Sequence, residues 1–382
     1  MRDAVIVEAV RTPVGKRDGG LSRILPTDLS AEVLKAVVER AGVDPDIVDD
    51  VIWGCVDQVG DQALNIGRNA VLQAGWPVSV PGTTVDRQCG SSQQSVHFAA
   101  AGLIAGHYDV VVAGGVESMS RVPMASTVSV GDNPMGSGFE KRFGVPMASQ
   151  GLGAESIADR WGLSRGQLDE FSLGSHAKAA AAQDDGRFDG QIVPVTNPDG
   201  VVVGRDEGIR RGGTLETLAG LRPAFKPDGV VHAGNSSQIS DGAAAMLMTT
   251  SEKARELGLT PIARVHTAVV AGDDPVVMLL GPIPATRKAL DRSGLKIGDI
   301  GVFEVNEAFA PVPLAWLAET GADETSLNPL GGAVALGHPL GASGARLMTT
   351  LVHHMRDAGI RFGLQTMCEG GGMANATILE RL

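Results

Sequence analysis

Apolar and polar residues come in blocks along this chain, and the blocks predict strands and helices in alternation. Residues 4–10, 50–56 and 109–115 form short, mostly apolar runs, which are typical of strands buried in a largely parallel sheet. Between the first two runs, apolar residues recur at helical spacing from Thr27 until Gly42 ends the pattern. This alternation predicts an α/β fold.

A long uncharged stretch of the first half begins at a cysteine. Residues 88–108 contain no Lys, Arg, Asp or Glu, follow a short strand at Thr83–Val85, and predict a buried core helix starting at Cys89. Their glutamines and histidine distinguish this helix from a membrane span. Because the positive end of a helix favours a thiolate, we expect an acidic, reactive thiol here. A lone cysteine is more often a small core residue, and these residues alone leave both interpretations open.

Between about residues 118 and 240 the strand pattern gives way to a mixture of Pro, Gly, Met and charged residues, which predicts a large insertion. One helix is clear within it, because Ser164 and Gln167 can form a capping box. The charged residues over 205–211 and Arg222, taken alone, indicate a solvated loop.

The second half of the chain repeats the construction of the first. In the first half, the turn at 89–92 leads through the core helix to a strand that ends in glycines at 114–115. In the second half, the turn at 341–344 leads through a helix over 343–358 to a strand that ends at the glycines of 370–372. The other elements predicted in this half are strands over 261–270, 302–305, 362–367 and 374–379 and helices over 284–293 and 311–319. Such a repeat predicts two similar halves whose central helices begin side by side, so an active site could draw on both.

Composition and charge describe an ordinary globular protein. The chain has 382 residues, of which 43% are hydrophobic and 20% charged, enough for a large core and about two or three domains. Its net charge of −12 argues against nucleic acid or an anionic membrane as the main partner. Acidic residues inside the N-terminal apolar run indicate a strand and not a signal peptide.

The three cysteines, Cys55, Cys89 and Cys368, lie far apart and form no C-x-x-C pair. Neither a disulfide framework nor a cysteine zinc site is therefore expected, and no bound metal. A reducing cytoplasm is the expected compartment. Cys55 lies within a predicted strand and is expected to be a core residue.

Residues suited to partner a nucleophilic cysteine lie in the second half. His338 stands in a Gly-rich turn before the predicted helix, where an imidazole can project into a cleft, although a lone histidine is more often structural. Cys368 ends a strand two residues before Gly370, in a run of glycines whose amides are free to point at an oxyanion. Asn306 begins another turn. These residues are candidates for the base and the oxyanion site that a nucleophilic Cys89 would need.

Short motifs around these residues recur in one order along the chain. They are Arg11-Thr12-Pro13-x-Gly15, Cys89-Gly90-Ser91, Asn306-Glu307-Ala308-Phe309-Ala310, Gly337-His338-Pro339-x-Gly341-x-Ser343-Gly344 and Cys368-x-Gly370-Gly371-Gly372. In this order and at this spacing they resemble the thiolase family over essentially the whole chain. No single motif identifies this family, but the combination of all of them at this spacing is very specific for it. Residues 234–237 also resemble that family's loop beside the pantetheine.

The resemblance implies two duplicated βαβαβαββ halves in five layers (α-β-α-β-α) with an inserted loop domain. It assigns residues 1–118 and about 240–260 to the N-terminal half, 119–239 to the loop domain and 261–382 to the C-terminal half. It further implies a homodimer or homotetramer that binds acyl-CoA and CoA, with CoA as co-substrate. It implies no covalently bound cofactor, nucleic acid or membrane partner.

The implied activity is thiolytic cleavage of a 3-ketoacyl-CoA to acetyl-CoA and a shortened acyl-CoA. By resemblance, Cys89 attacks the 3-keto carbon with His338 as base and becomes the acyl-enzyme. Cys368 protonates the departing enolate and then deprotonates the incoming CoA. His338 and a water on Asn306 hold the thioester oxygen, while the amides of Cys89 and Gly370 form a second oxyanion hole.

Substrate contacts are implied in the same way. Arg210, Thr217 and Ser237 match the family's CoA-contacting positions, and no Gly-rich phosphate loop offers itself in their place. The resemblance leaves Arg211 and Arg222 unassigned.

Two departures from the family pattern bear on the acyl group. Many thiolases carry His-Met where this chain has Ser149 and Gln150, at a position that faces the acyl pocket in that family. This favours a degradative enzyme for a larger or more polar acyl group over an acetoacetyl-CoA synthase. The run over residues 85–89 also resembles the branch that handles steroid-derived acyl chains.

Other functions fit parts of this pattern. A decarboxylating ketoacyl synthase of the same fold would use two histidines in place of the second cysteine, so Cys368 argues against it. A biosynthetic acetoacetyl-CoA thiolase would share the site, because the direction depends on substrate levels. A non-catalytic acyl-CoA or lipid carrier should have lost Cys89 or His338, and both are present.

Overall fold

The computed structural model describes residues 2–129, 131 and 133–382, and it contains the predicted strands and helices with their ends shifted by a few residues. The strands are β1 Val5–Arg11, β2 Gly15–Lys16, β3 Asp50–Gly54, β4 Thr83–Val85, β5 Val110–Ser118, β6 Val195–Thr196, β7 Val202–Val203, β8 Ser240–Thr249, β9 Ala263–Gly272, β10 Val302–Val305, β11 Phe362–Glu369 and β12 Met373–Arg381. The helices are α1 Pro26–Ala41, α2 Ile66–Gln73, α3 Ser91–Ala105, α4 Phe139–Phe143, α5 Gln150–Trp161, α6 Arg165–Asp184, α7 Leu215–Ala219, α8 Ser251–Glu256, α9 Pro282–Ser293, α10 Pro311–Thr320, α11 Ala333–Leu336 and α12 Leu340–Ala358.

The strand pairing confirms the internal repeat. In the first half β3 pairs parallel with β5, and β5 then pairs antiparallel with β8, which pairs antiparallel with β1. The second half repeats this order with β10, β11, β12 and β9. The sheet is therefore mixed rather than largely parallel, because β8 and β12 return antiparallel to their neighbours. The half-sheets are joined through a short pairing of β1 with β9, Val5 with Arg264 and Ile6 with Ala263.

The helices complete the five layers that the resemblance implies. Helices α1 and α2 cover the outer face of the first half-sheet, and α9 and α10 cover the outer face of the second. Helices α3 and α12 pack on each other between the half-sheets. The buried apolar residues accordingly form separate clusters on the two sides of each half-sheet.

Small residues bring the starts of α3 and α12 together. A Cβ added at Gly344 would collide with the backbone nitrogen of Gln93, so only glycine allows this approach. Ser92 Oγ accepts a hydrogen bond of 2.9 Å from the amide of Ala345. Helix α12 begins at Leu340, three residues before the predicted start, because its glycines lower helix propensity and hide the first turn.

The insertion contains the predicted capping box and also a helix that the sequence pattern does not reveal. At the start of α6, the backbone amide of Gln167 donates to Ser164 Oγ at 3.3 Å, and the backbone amide of Ser164 donates to Gln167 Oε1 at 2.8 Å. Helix α5 was not predicted because Gly151 and Gly153 lie in its first turn. Gly153 is required there, since a Cβ would collide with the carbonyl of Val277.

None of the helices in the described part of the chain combines the length and the apolar character that crossing a membrane requires.

Candidate active site

Cys89 lies in the tight turn between β4 and α3. Gln88 adopts a left-handed conformation with φ of +48°, stabilised by its amide, which donates to Asp86 Oδ1 at 2.7 Å. The turn is closed from the helix side, where the Ser91 hydroxyl donates to the Gln88 carbonyl at 2.6 Å. Cys89 is thereby held two residues before the first turn of α3, with 6% of its surface exposed.

The expectation of an acidic thiol at Cys89 is wrong. Burial, and next the carboxyl group of Glu369, raises the pKa of Cys89 to about 12, although the amides of Cys89 and Gly370 hydrogen-bond to the sulfur and act in the opposite direction. A helix N-terminus stabilises an anion by only about 0.3–1 kcal/mol, which does not offset the removal of a thiolate from water. The resting thiol is therefore protonated and needs a base.

His338 has the protonation state and tautomer that a base requires. Burial, followed by the charge of Arg346, lowers the pKa of His338 to about 3, so the imidazole is neutral. Its Nδ1 lies 2.5 Å from Ser343 Oγ, and that hydroxyl donates to the carbonyl of Pro339 at 2.8 Å. The Ser343 oxygen therefore accepts from Nδ1–H, which leaves Nε2 without a proton and free to accept one.

Asn306 lies beside that free nitrogen. It follows the last residue of β10, and its amide donates to the Thr366 carbonyl on β11 at 3.1 Å. Its Nδ2 is 3.4 Å from His338 Nε2, while its Oδ1 is buried without a partner in the described residues. A buried polar atom left open in this way is suited to holding an ordered water.

Cys368 lies close to Cys89, at the end of β11. Burial, followed by the neighbouring Cys89, raises the pKa of Cys368 well above its usual range, so the resting thiol is protonated and has a proton to give. Met367, the residue before Cys368, and Leu340, two residues after His338, pack in the same apolar cluster as Cys89. The segments that carry the candidate residues of the two halves thus lie next to each other.

Gly370 contributes a backbone amide to this place. This amide acts to lower the pKa of the Cys89 thiol, so it lies near the atom on which an acyl group, and with it an oxyanion, would form. The side chain of Gln88 packs against its Cα, and a Cβ at this position would lie 2.8 Å from Gln88 Oε1.

An apolar cleft of about 600 Å³ leads from Cys89 and Gly370 to the surface. The insertion supplies most of its lining residues, Gln150 among them. The large apolar residues along it are Met124, Met135, Phe139, Met147, Phe225, Met278, Phe309 and Met373.

A smaller cavity of about 190 Å³ lies in the insertion. Arg210, Thr217 and Gly234 line it, so two of the three residues predicted to contact CoA lie together. Ser237 is not among its lining residues in the described chain; the backbone amide of Ser237 bonds the Ala308 carbonyl at 2.9 Å.

The two arginines left unassigned lie outside this cavity. Arg211 forms a two-pronged ion pair with Asp184, at 2.7 and 2.8 Å, and Arg222 is exposed.

Several buried charged residues around the site were not predicted. Glu369 occupies the variable position of the Cys368-x-Gly370 motif. Arg346 is buried near His338, and Glu304 is buried near Arg346, where burial raises the pKa of Glu304 to about 8. The sequence feature that could have indicated them is a charged residue inside an otherwise apolar strand or helix, because charged residues are rarely buried. No cluster of three or more His, Cys, Asp or Glu side chains in residues 2–129, 131 and 133–382 could hold a metal ion.

Comparison with known proteins finds the same family along almost the whole chain. The sequence model for the thiolase N-terminal domain matches residues 4–252, and that for the thiolase C-terminal domain matches residues 259–381. A steroid 3-ketoacyl-CoA thiolase, FadA6, from Mycobacterium tuberculosis is 49% identical, over 100% of this chain and 95% of its own length. A 3-ketoacyl-CoA thiolase from Aliivibrio salmonicida is 46% identical, over 100% of both chains. The crystal structure of the Bacillus anthracis acetyl-CoA acetyltransferase superposes with a TM-score of 0.92 at 40% identity, covering 100% of this chain and 99% of that one.

Proposed function

The chain belongs to the thiolase family of acyltransferases, and on that premise we propose that it cleaves a bulky, ring-bearing 3-ketoacyl-CoA with free CoA. The products are acetyl-CoA and a shortened acyl-CoA. The observation that carries the proposal is that Cys89 lines the inner end of an apolar cleft and lies close to Cys368, while the unprotonated nitrogen of His338 lies beside Asn306.

The first half of the reaction consumes the 3-ketoacyl-CoA. Cys89 passes its proton to Nε2 of His338, and its sulfur attacks the 3-keto carbon. The bond between C2 and C3 then breaks, and its electron pair forms the enolate of acetyl-CoA. Asn306 and His338 stabilise the enolate oxygen, and Cys368 gives its proton to C2.

The second half returns the enzyme to its starting state. The thiolate of Cys368 takes the proton of the incoming CoA, whose sulfur attacks the acyl group on Cys89. The amides of Cys89 and Gly370 stabilise the resulting oxyanion. When the bond from carbon to Cys89 breaks, the Cys89 sulfur recovers its proton from His338.

The size and lining of the cleft support a bulky acyl group. Its volume of about 600 Å³ falls within the roughly 300–1,000 Å³ of sites that enclose drug-sized ligands, far more than an acetyl group needs. Methionine side chains adapt to the shape of a rigid apolar surface, and aromatic side chains offer it a large apolar contact area. The name of the mycobacterial relative, a steroid thiolase, points the same way. Gln150 offers a polar contact on the wall.

The function is tested by comparing kcat/KM for acetoacetyl-CoA, a straight-chain 3-ketoacyl-CoA and one that bears fused rings. We expect the ring-bearing substrate to exceed acetoacetyl-CoA by at least about tenfold, because it buries more apolar surface in the cleft. Release of acetyl-CoA is the measurement. Fastest cleavage of acetoacetyl-CoA would instead support the biosynthetic alternative.

The cavity at Arg210 is proposed to bind CoA, because a guanidinium suits the phosphate groups of CoA. We expect Arg210→Gln to raise the KM for CoA by about tenfold with little change in kcat, since the loss affects binding and not the reacting atoms. Arg211→Gln is the matched control, because Arg211 is already paired with Asp184 outside the cavity. Equal effects in the two variants would contradict the assignment of the CoA site.

The homodimer or homotetramer and the cytoplasmic location expected from the sequence stay predictions, as do the domain boundaries.

A further inference from the structure

Glu369 is a buried acid to which the reaction assigns no step. Glu369 is fully buried, with 0% of its surface exposed, and neither carboxyl oxygen has a hydrogen-bond partner within the described residues. An ionised carboxylate in such a place would lose its hydration without compensation, so burial favours the protonated acid. Two other polar atoms near it, Arg87 Nε and Asn375 Oδ1, also lack partners in the described chain.

The carboxyl group lies against the turn that carries the nucleophile. A Cβ at Gly90 would collide with Glu369 Oε1 and would lie 2.8 Å from Asn375 Nδ2. Asn375 in turn donates to the carbonyl of Gly90 at 3.1 Å. Gly90 is the N-cap of α3, a helix of 15 residues, so Glu369 and Cys89 share one helix end.

One helix end cannot stabilise two anions side by side. The positive potential there is equivalent to about half an elementary charge, while two neighbouring negative charges repel each other strongly at low dielectric constant. An ionised Glu369 would therefore raise the free energy of the Cys89 thiolate, both when it attacks and when it leaves the acyl group.

We propose that Glu369 is a positioning residue that gates the nucleophile: the Cys89 thiolate forms readily only while the Glu369 carboxyl group carries its proton. Ionisation releases that proton to solvent and breaks no other bond. The proposal rests on the proposed role of Cys89 as nucleophile and adds to it a pH-dependent control.

The charged groups that face Glu369 set where this control operates. Burial is the main influence and raises the pKa of Glu369 to about 8, with Arg87 and then the backbone amide of Asn375 acting to lower it and Asp86 to raise it. The thiols of Cys89 and Cys368 are two further titratable neighbours of Glu369. The acid is therefore protonated and permissive below about pH 8, and it becomes ionised and inhibitory as the pH rises through that value.

The test is the rate at which iodoacetamide alkylates Cys89 between about pH 6 and pH 10, a probe that needs no acyl-CoA, with the modified peptide identified by mass spectrometry. In the unmodified enzyme we expect the logarithm of the rate to rise with pH, to flatten near pH 8 as Glu369 ionises, and then to rise again. In Glu369→Gln the flattening should disappear, and alkylation at about pH 9.5 should be roughly tenfold faster than in the wild type. Asp86→Asn is the matched control from the same turn and should keep the flattening.

The possible pH profiles separate the proposal for Glu369 from its failure. A wild-type profile without flattening overturns the proposal, even if Glu369→Gln fails to fold. Flattening that persists in Glu369→Gln, or that is lost only in Asp86→Asn, also overturns it. Failure of iodoacetamide to modify Cys89 at any pH would instead count against the proposed function, which the acetyl-CoA assay tests separately.

Discussion

Cys89→Ala is expected to abolish thiolysis, lowering kcat by at least about 10⁴-fold. Alanine leaves no atom that can carry the acyl group, so only binding and the oxyanion holes remain, and residues that act as a unit leave little activity when one is removed. The measurement is acetyl-CoA formation from a 3-ketoacyl-CoA and CoA. Intact-protein mass spectrometry should find the acyl adduct in the wild type and not in the variant.

Cys55→Ala is the matched control for this loss. Cys55 is a fully buried cysteine in the cluster on the outer face of the first half-sheet, as predicted for a core residue. Its replacement leaves a small cavity, so a modest fall in melting temperature with retained turnover is expected. Ordinary turnover in Cys89→Ala would remove Cys89 from its proposed role.

The repeat and the five layers could be predicted because periodicity and small-residue turns are local properties of the sequence. The turn at Cys89 and the turn at His338 occupy equivalent places in the two halves, and Gly344 against Gln93 brings them together. Helix α5 could not be predicted in this way. Its glycines argue against a helix locally, and only the close approach of Phe225 and Val277 explains them.

The protonation states at the site depend on contacts between residues far apart in the chain, so a local sequence pattern does not predict them. The helix end next to Cys89 predicted an acidic thiol, but burial and Glu369, 280 positions away in the chain, reverse that prediction. The tautomer of His338 is set by Ser343, in the first turn of α12, and by Pro339, the residue that caps this helix, whereas the sequence pattern predicts a later start for α12. Motif positions therefore indicated which residues matter, while the fold decides which of them hold protons.

Cys368→Ala is expected to separate the two halves of the reaction. Without the acid, the enolate of acetyl-CoA has no proton donor in contact, and thiolysis should slow by about 10³-fold. Cys89 and His338 are unchanged, so the variant should still form the acyl adduct from an acyl-CoA, detected by intact mass. Exchange of the C2 protons of acetyl-CoA with deuterated water, followed by NMR, should nearly stop in Cys368→Ala and continue in Cys55→Ala. Wild-type exchange in Cys368→Ala would mean that another group supplies the proton, and the protonated carboxyl group of Glu369, next in the chain and equally buried, would then be the first to replace.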